Sequence, residues 1–270
     1  MAMYCLISPG GSPGVTTAAV GLALTWPGRV LLAECDPMGR RVLPGFMADR
    51  MRESAGPGLL GLAMAAEADQ RGTVGLEEYL VPISDDGRVE LLHGVRDPRH
   101  GARMGSLWPR LAEALAARDG DVVADLGRVG GTETPSELLK AADGVVMVLK
   151  PTLPQVDAAT PRLDALKALL GERTAIGLCL VADGAYSAAE VERVLDVPVL
   201  AEMPCSPADA GVLSDGARPR LTFKTSLLMR SLDGLGRRIR TMPADSHGSD
   251  AAPHRTAARS AAPAAAGGGR

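Results

Sequence analysis

Ten residues near the start of the chain, Ser8-Pro9-Gly10-Gly11-Ser12-Pro13-Gly14-Val15-Thr16-Thr17, are of the types that hold phosphate. Glycines let backbone N–H groups close round phosphate oxygens, and the first turn of a following helix adds partial positive charge. Thr16 stands where such a cradle places the hydroxyl that meets Mg²⁺. The cation normally found just before that hydroxyl is missing, because residue 15 is Val. Three carboxylates could complete the chemistry. Glu34 and Asp36 follow the apolar run Leu31-Leu32-Ala33, and Asp125 follows Val122-Val123-Ala124. An acidic group at a strand tip can hold Mg²⁺ through water. Asp36 precedes Pro37, so it also suits a plain turn cap.

These residues need elements to carry them. Strand-like runs are expected at 3–8, 29–34, 88–93, 121–126, 144–149, 174–181 and 198–203. Helical patterns lie between several of them, at 16–24, 106–118, 154–170 and 187–195. Continuous apolar strands such as Val145-Val146-Met147-Val148-Leu149 indicate burial on both faces. The alternation predicts an α/β fold of three layers: a doubly wound, mostly parallel sheet with helices on both faces. Ligands on such sheets sit at the carboxyl ends of strands. That is where the loop, Asp36 and Asp125 fall.

With 270 residues, the chain suffices for one sizeable domain. We expect it over 1–243, with a less regular insertion at about 40–87 that holds a helix near 59–68. From 244 to 270 the composition turns to Ala, Pro, Gly, Ser and Arg. Such a segment buries too little surface to offset its ordering entropy, so it is expected to be disordered. A net charge of −3 leaves no global field favouring nucleic acid or anionic lipid. The four cysteines, Cys5, Cys35, Cys179 and Cys205, form no metal-like spacing and read as reduced thiols. No export signal or apolar run near 20 residues is visible, so a cytoplasmic protein is expected.

The order and spacing of the loop, the strand-two Asp36 and the strand-tip Asp125 resemble the ParA/MinD group of P-loop ATPases over roughly residues 3 to 240. That group carries K-G-G-x-G-K-T-T, then D-x-D-P-Q-G, then an apolar strand ending in the Walker B Asp. The resemblance implies ATP or ADP with Mg²⁺ as cofactor. It implies nucleotide contacts at Gly10, Gly11, Ser12, Gly14, Val15, Thr16 and Thr17, and Mg²⁺ at Thr16 and Asp125. Asp36 matches the acid that orients the attacking water, and Glu34 replaces the first Asp of the pair. The segment 197–204 matches the group's late strand near the adenine. Asp183-Gly184 lies near an adenine-reading position and equally suits a turn.

The departures from that group bear on catalysis. Gly10 replaces the lysine that reaches a dimer partner's phosphates, Val15 replaces the P-loop lysine, and Ser12 replaces a loop glycine. Phosphoryl transfer relies on positioning and charge stabilisation, and loss of one such donor costs about 3 kcal/mol in the transition state. Arg128 and Lys150 are the nearest candidates for a substitute cation. The expectation is weak or lost nucleotide binding and slow hydrolysis.

Members of the group with degraded lysines occur among the localisation proteins of Tad/Flp-type pilus and secretion systems (TadZ- or CpaE-like). The first functional expectation is therefore a positioning or assembly factor. Its partners would be a second copy, as a homodimer, and a secretion ATPase or pilus-assembly protein. Such proteins often carry a receiver-like domain ahead of the first strand, whereas this sequence opens on that strand. The alternative is an active partition ATPase acting with a DNA-bound partner, or another P-loop ligase or kinase. The basic, amphipathic segment 221–240 is the one feature suited to DNA or to peripheral contact with the inner face of a membrane. It equally suits a last helix packed on the sheet.

Overall fold

The computed structural model describes residues 1–11, 14–49, 55–68 and 75–242. Its strands are β1 (Met3–Ser8), β2 (Val30–Glu34), β3 (Leu80–Pro82), β4 (Val89–Leu92), β5 (Asp121–Arg128), β6 (Gly144–Leu149), β7 (Ala175–Ala182) and β8 (Val199–Pro204). They form one sheet in the order β3-β4-β2-β5-β1-β6-β7-β8. All neighbours are parallel except β3, which runs antiparallel to β4. The helices are α1 (Val15–Thr25), α2 (Gly58–Ala68), α3 (Trp108–Ala117), α4 (Ser136–Ala141), α5 (Leu153–Leu170), α6 (Ala188–Leu195), α7 (Pro207–Ser214) and α8 (Leu227–Ile239).

Two cores lie on opposite faces of the sheet. Alternate strand residues Cys5, Ile7, Leu31, Ala33, Ala124 and Leu126 meet α2 through α6. Their neighbours Leu6, Val30, Leu32 and Val123 meet α1, α7, α8 and the turn at 42–47. Period two along the strand thus sorts the two faces. The same parity sends Glu34 and Asp125 toward α1. From β1 the chain passes to β2 on one side and later to β6 on the other. The loop after β1 therefore sits at the reversal of winding, where such sheets take ligands.

Helix α1 is buried nearly all round, which explains its Ala and Gly content. A Cβ at Gly21 would lie 2.3 Å from Leu232 Cδ1 of α8, so the two helices pack at glycine distance. Leu228, Leu232, Leu235 and Ile239 bury the apolar face of α8 against β8 and α1. Each such burial is worth about 2 kcal/mol. Of the two readings of 221–240, packing on the sheet is the one this helix adopts.

Short elements account for most differences from expectation. Strand β3 has three residues, too few to show alternation, and Pro82 suits its edge position. Helices α4 and α7, with six and eight residues, fall where the sequence shows no helical apolar period. Within the stretch 40–87 the described residues include the helix expected near 59–68. The stretch supplies α2, the edge strand β3 and a turn, 42–49, packed beside α7. The tail 244–270 lies outside the described residues.

That turn has no room to spare. A Cβ at Gly45 would fall 2.1 Å from the Ser214 carbonyl oxygen and 2.8 Å from that of Arg41. Both are backbone atoms, so the turn itself must move. Gly45→Ala is expected to lower stability by about 1–3 kcal/mol in urea unfolding. An unchanged midpoint would show that the turn is not held against α7.

Candidate functional site

Helix α1 starts without a side-chain cap. Gly14 precedes it at φ 101, a left-handed conformation that glycine adopts without a Cβ penalty. The first-turn N–H groups therefore open onto a cleft of about 610 Å³. Gly11, Gly14, Val15, Thr16 and Thr17 line one wall, and Asp36, Arg40, Arg41, Gly45 and Arg128 line the other parts. Ser12 is outside the described residues. Gly10 does not line the cleft. Its carbonyl accepts a 2.9 Å hydrogen bond from Gln155 Nε2 of α5, a loop contact that no local sequence signal announces.

Thr16 and Asp125 are brought together across 109 residues of chain. The Thr16 hydroxyl donates to Asp125 Oδ2 at 2.6 Å, and Gly127 N donates to Asp125 Oδ1 at 2.9 Å. Asp125 is buried, and burial pushes its carboxyl up to about 7. Glu34 and Asp36 push it in the same direction, while the Thr16 and Gly127 bonds oppose them. The hydroxyl and carboxylate are hard oxygen donors of the kind Mg²⁺ takes. No cluster of three or more His, Cys, Asp or Glu suited to a metal occurs among the described residues. This donor set fits Mg²⁺, which keeps water and substrate phosphate in its shell, better than a metal caged by protein.

The other two carboxylates have different surroundings. Glu34 is buried and accepts from three backbone groups: Arg41 N at 2.7 Å, Val42 N at 2.8 Å and Gly94 N at 3.2 Å. It is a clamp between the end of β2, the turn after it and the end of β4. Asp36 accepts from Met38 N at 2.8 Å, the turn-capping bond that its position before Pro37 suggests, and it also lines the cleft. Burial raises its carboxyl, while Arg41 and Arg128 act against that rise.

Neither lysine position carries a cation into the cleft. Val15 is buried against the α1 side of the core. Of the two substitute cations suggested by sequence, Arg128 lines the cleft. Lys150 does not: its Nζ lies 2.5 Å from Asp183 Oδ2, a pair that ties the ends of β6 and β7. The same pair occupies Asp183 beside its turn. Arg40 and Arg41 went unnoticed in the sequence, although they follow Asp36-Pro37-Met38-Gly39 directly.

The chain has the fold of the MinD and ParA ATPases. MinD from Pyrococcus horikoshii, solved with Mg-ADP, matches with a TM-score of 0.70 at 18% identity, over 89% of this chain and 96% of that one. MinD in the MinC:MinD complex of Aquifex aeolicus gives 0.69 at 16% identity, over 90% and 97%. A ParA family ATPase from Chlorobium tepidum gives 0.63 at 15% identity, over 87% and 97%. No protein-family model and no curated protein matches the sequence. At these identities the likeness is one of fold.

Asp125 gives the site a pH signature. Its folded value of about 7 exceeds the ordinary 3.8, so between these values the native state keeps a proton that the unfolded chain has released. Stability linked to this group is fully present below pH 3.8 and is lost as pH rises through about 7. The melting temperature of the ligand-free protein should therefore fall as pH rises from about 5 to 8. Asp125→Asn should flatten part of that fall, with Glu34 and Asp36 supplying the remainder in the same direction. A wild-type-minus-variant difference that stays constant with pH would refute this.

Proposed function

We propose that the protein is a ParA/MinD-like positioning or assembly factor that binds a Mg²⁺–nucleotide and hydrolyses it slowly. The observation that carries this reading is the hydrogen bond from Thr16, in the lining of a glycine-lined cleft, to buried Asp125, beside a lysine position filled by buried Val15. The metal-binding half of a phosphate site is assembled, while the charge that stabilises the transition state is reduced.

In this reading Gly11, Gly14 and the first turn of α1 receive phosphate through backbone N–H groups. Thr16 and Asp125 hold Mg²⁺, which would neutralise phosphate charge when bound. Asp36 faces the same cleft with its second oxygen uncommitted to the turn, a suitable place for orienting water. Binding survives the loss of the lysines better than catalysis does, because backbone donors and metal serve the ground state as well. A nucleotide-bound but slow protein is suited to act as a switch or scaffold. The solved relatives include MinD in complex with MinC. By analogy, this chain would dock on a second copy and on a machine such as a pilus or secretion apparatus.

The DNA-partition reading draws less support. Arg237 pairs with Asp233, Arg238 donates to the Leu200 carbonyl, and the Arg240 guanidinium lies 5.5 Å from the Trp26 ring. The basic residues of α8 are thus partly spent within the fold. Among the described residues no helix is long and apolar enough to cross a membrane.

Calorimetric titration with Mg-ATP, followed by turnover assays, tests the reading. Wild type should bind, and Thr16→Ala should remove the Mg²⁺ dependence of that binding. Multiple-turnover hydrolysis should stay well below about 1 s⁻¹, the lower end of ordinary enzymes. Absent binding would overturn the nucleotide reading, and turnover above that rate would overturn the scaffold. Salt-sensitive DNA binding in place of association with a secretion protein would favour partition.

A further inference from the structure

Three arginines converge on the cleft from two segments. Arg40 and Arg41 come from the turn after β2, and Arg128 comes from the end of β5. Among the described residues none of the three forms an ion pair, whereas Arg88, Arg99, Arg118, Arg220 and Arg237 each pair with a carboxylate. Unpaired guanidinium groups sharing one concavity with glycine N–H groups are an arrangement suited to an anion.

Each arginine is aimed by a specific feature of the backbone. Leu6 of β1 is in register with Asp125, but Ser8 is in register with Arg128, so β5 carries one extra residue between them. Without that bulge Arg128 would point to the far face of the sheet. With it, Arg128 shares the face of Asp125 and of α1. Gly127 makes the bulge, at φ +61. A Cβ there would lie 2.2 Å from Asp36 Oδ2. Arg40 and Arg41 are fixed through their backbone. Arg40 N donates to Val95 O at 2.7 Å and Arg41 N to Glu34 Oε1 at 2.7 Å. The next residue, Val42, is buried and held by the same carboxylate. Glu34 therefore acts as a positioning residue for Arg41, and the Val95 carbonyl does the same for Arg40.

Charge in the cleft favours this use. Among the described residues, Asp36 and Asp215 are the other charged groups in the lining, and Asp125 is not part of it. Three guanidinium groups thus face two carboxylates. Guanidinium forks match phosphate oxygens two at a time, which an ammonium group cannot do.

We propose that Arg40, Arg41 and Arg128 replace the two missing lysines and bind the di- or triphosphate chain of the ligand. The inference rests on the phosphate-site reading above, and the phosphate chain is the chemistry they recognise. A nucleotide and an inorganic polyphosphate are the two sources of such a chain.

Calorimetry on the full chain separates the outcomes, with Mg-ATP, inorganic tripolyphosphate and adenosine as probes. Wild type should bind the first two and not adenosine. Arg128→Ala should weaken both phosphate probes by about tenfold, and the Arg40→Ala/Arg41→Ala pair by more. Arg128→Lys should recover only part of the loss. Arg173→Ala, at the opposite end of the strands, should bind as wild type does. Unchanged melting of the unliganded variants guards against misfolding. If Mg-ATP binds equally to wild type and to every arginine variant, this proposal falls and the nucleotide reading stands. If tripolyphosphate binds through the arginines and ATP binds no tighter, the arginine site stands as one for inorganic polyphosphate and the nucleotide reading falls. If wild type binds neither phosphate probe, both fall.

Discussion

The site is built round two acidic side chains that the sheet forces together. Strand β5 lies between β1 and β2, and Asp125 is the register partner of Glu34. Both point to the α1 face and both are buried. Like charges side by side in a low-dielectric interior are costly, so each must be compensated separately. Glu34 takes three backbone N–H groups and thereby fixes the turn after β2. Asp125 takes the Thr16 hydroxyl and the Gly127 N–H, and its carboxyl rises toward neutrality. The placement of the cleft walls follows from how these two groups are satisfied.

The same constraint links stability to ligand chemistry. A site with three carboxylates at neighbouring strand tips needs cations, and a phosphate site needs them again for its ligand. The described part of the loop carries no cation, with Gly10 and Val15 among its residues. The described cations of the cleft stand on the opposite wall, on the turn clamped by Glu34 and on the bulge at Gly127. Moving positive charge from the loop to that wall preserves attraction for an anion. In-line transfer demands positioning as well as charge, so binding and turnover are separable properties of such a site.

The periphery is organised by close packing more than by charge. Gly21 lets α8 approach α1, and four large aliphatic side chains of α8 fill the space that results. A helix whose apolar stripe is already covered has little left to offer a bilayer. Arg238 donates to the Leu200 carbonyl of β8, and Arg240, just past the helix, lies over the Trp26 ring at the end of α1; these two contacts tie the last helix to the sheet edge and to α1.

Most of the sheet was legible in the sequence, because strands buried on both faces read as unbroken apolar runs and β6 appears with its expected ends. The loop, Thr16, Asp36 and Asp125 were legible too, since each belongs to a local motif of fixed spacing. The three-residue β3 and the helices α4 and α7 were not, because none of them shows an apolar period in the sequence. Nor were the relations that depend on who neighbours whom. Sequence allows Lys150 and Arg128 equal claim on the cleft, yet register and a bulge send one to Asp183 and the other to the cleft wall. Arg40 and Arg41 gain meaning only once the Val95 carbonyl holds the backbone of the first and Glu34 that of the second. Residue type and local spacing determine which chemistry is present. Strand order, register and a single extra residue in β5 decide which side chains share the cleft, because these contacts join segments roughly a hundred residues apart.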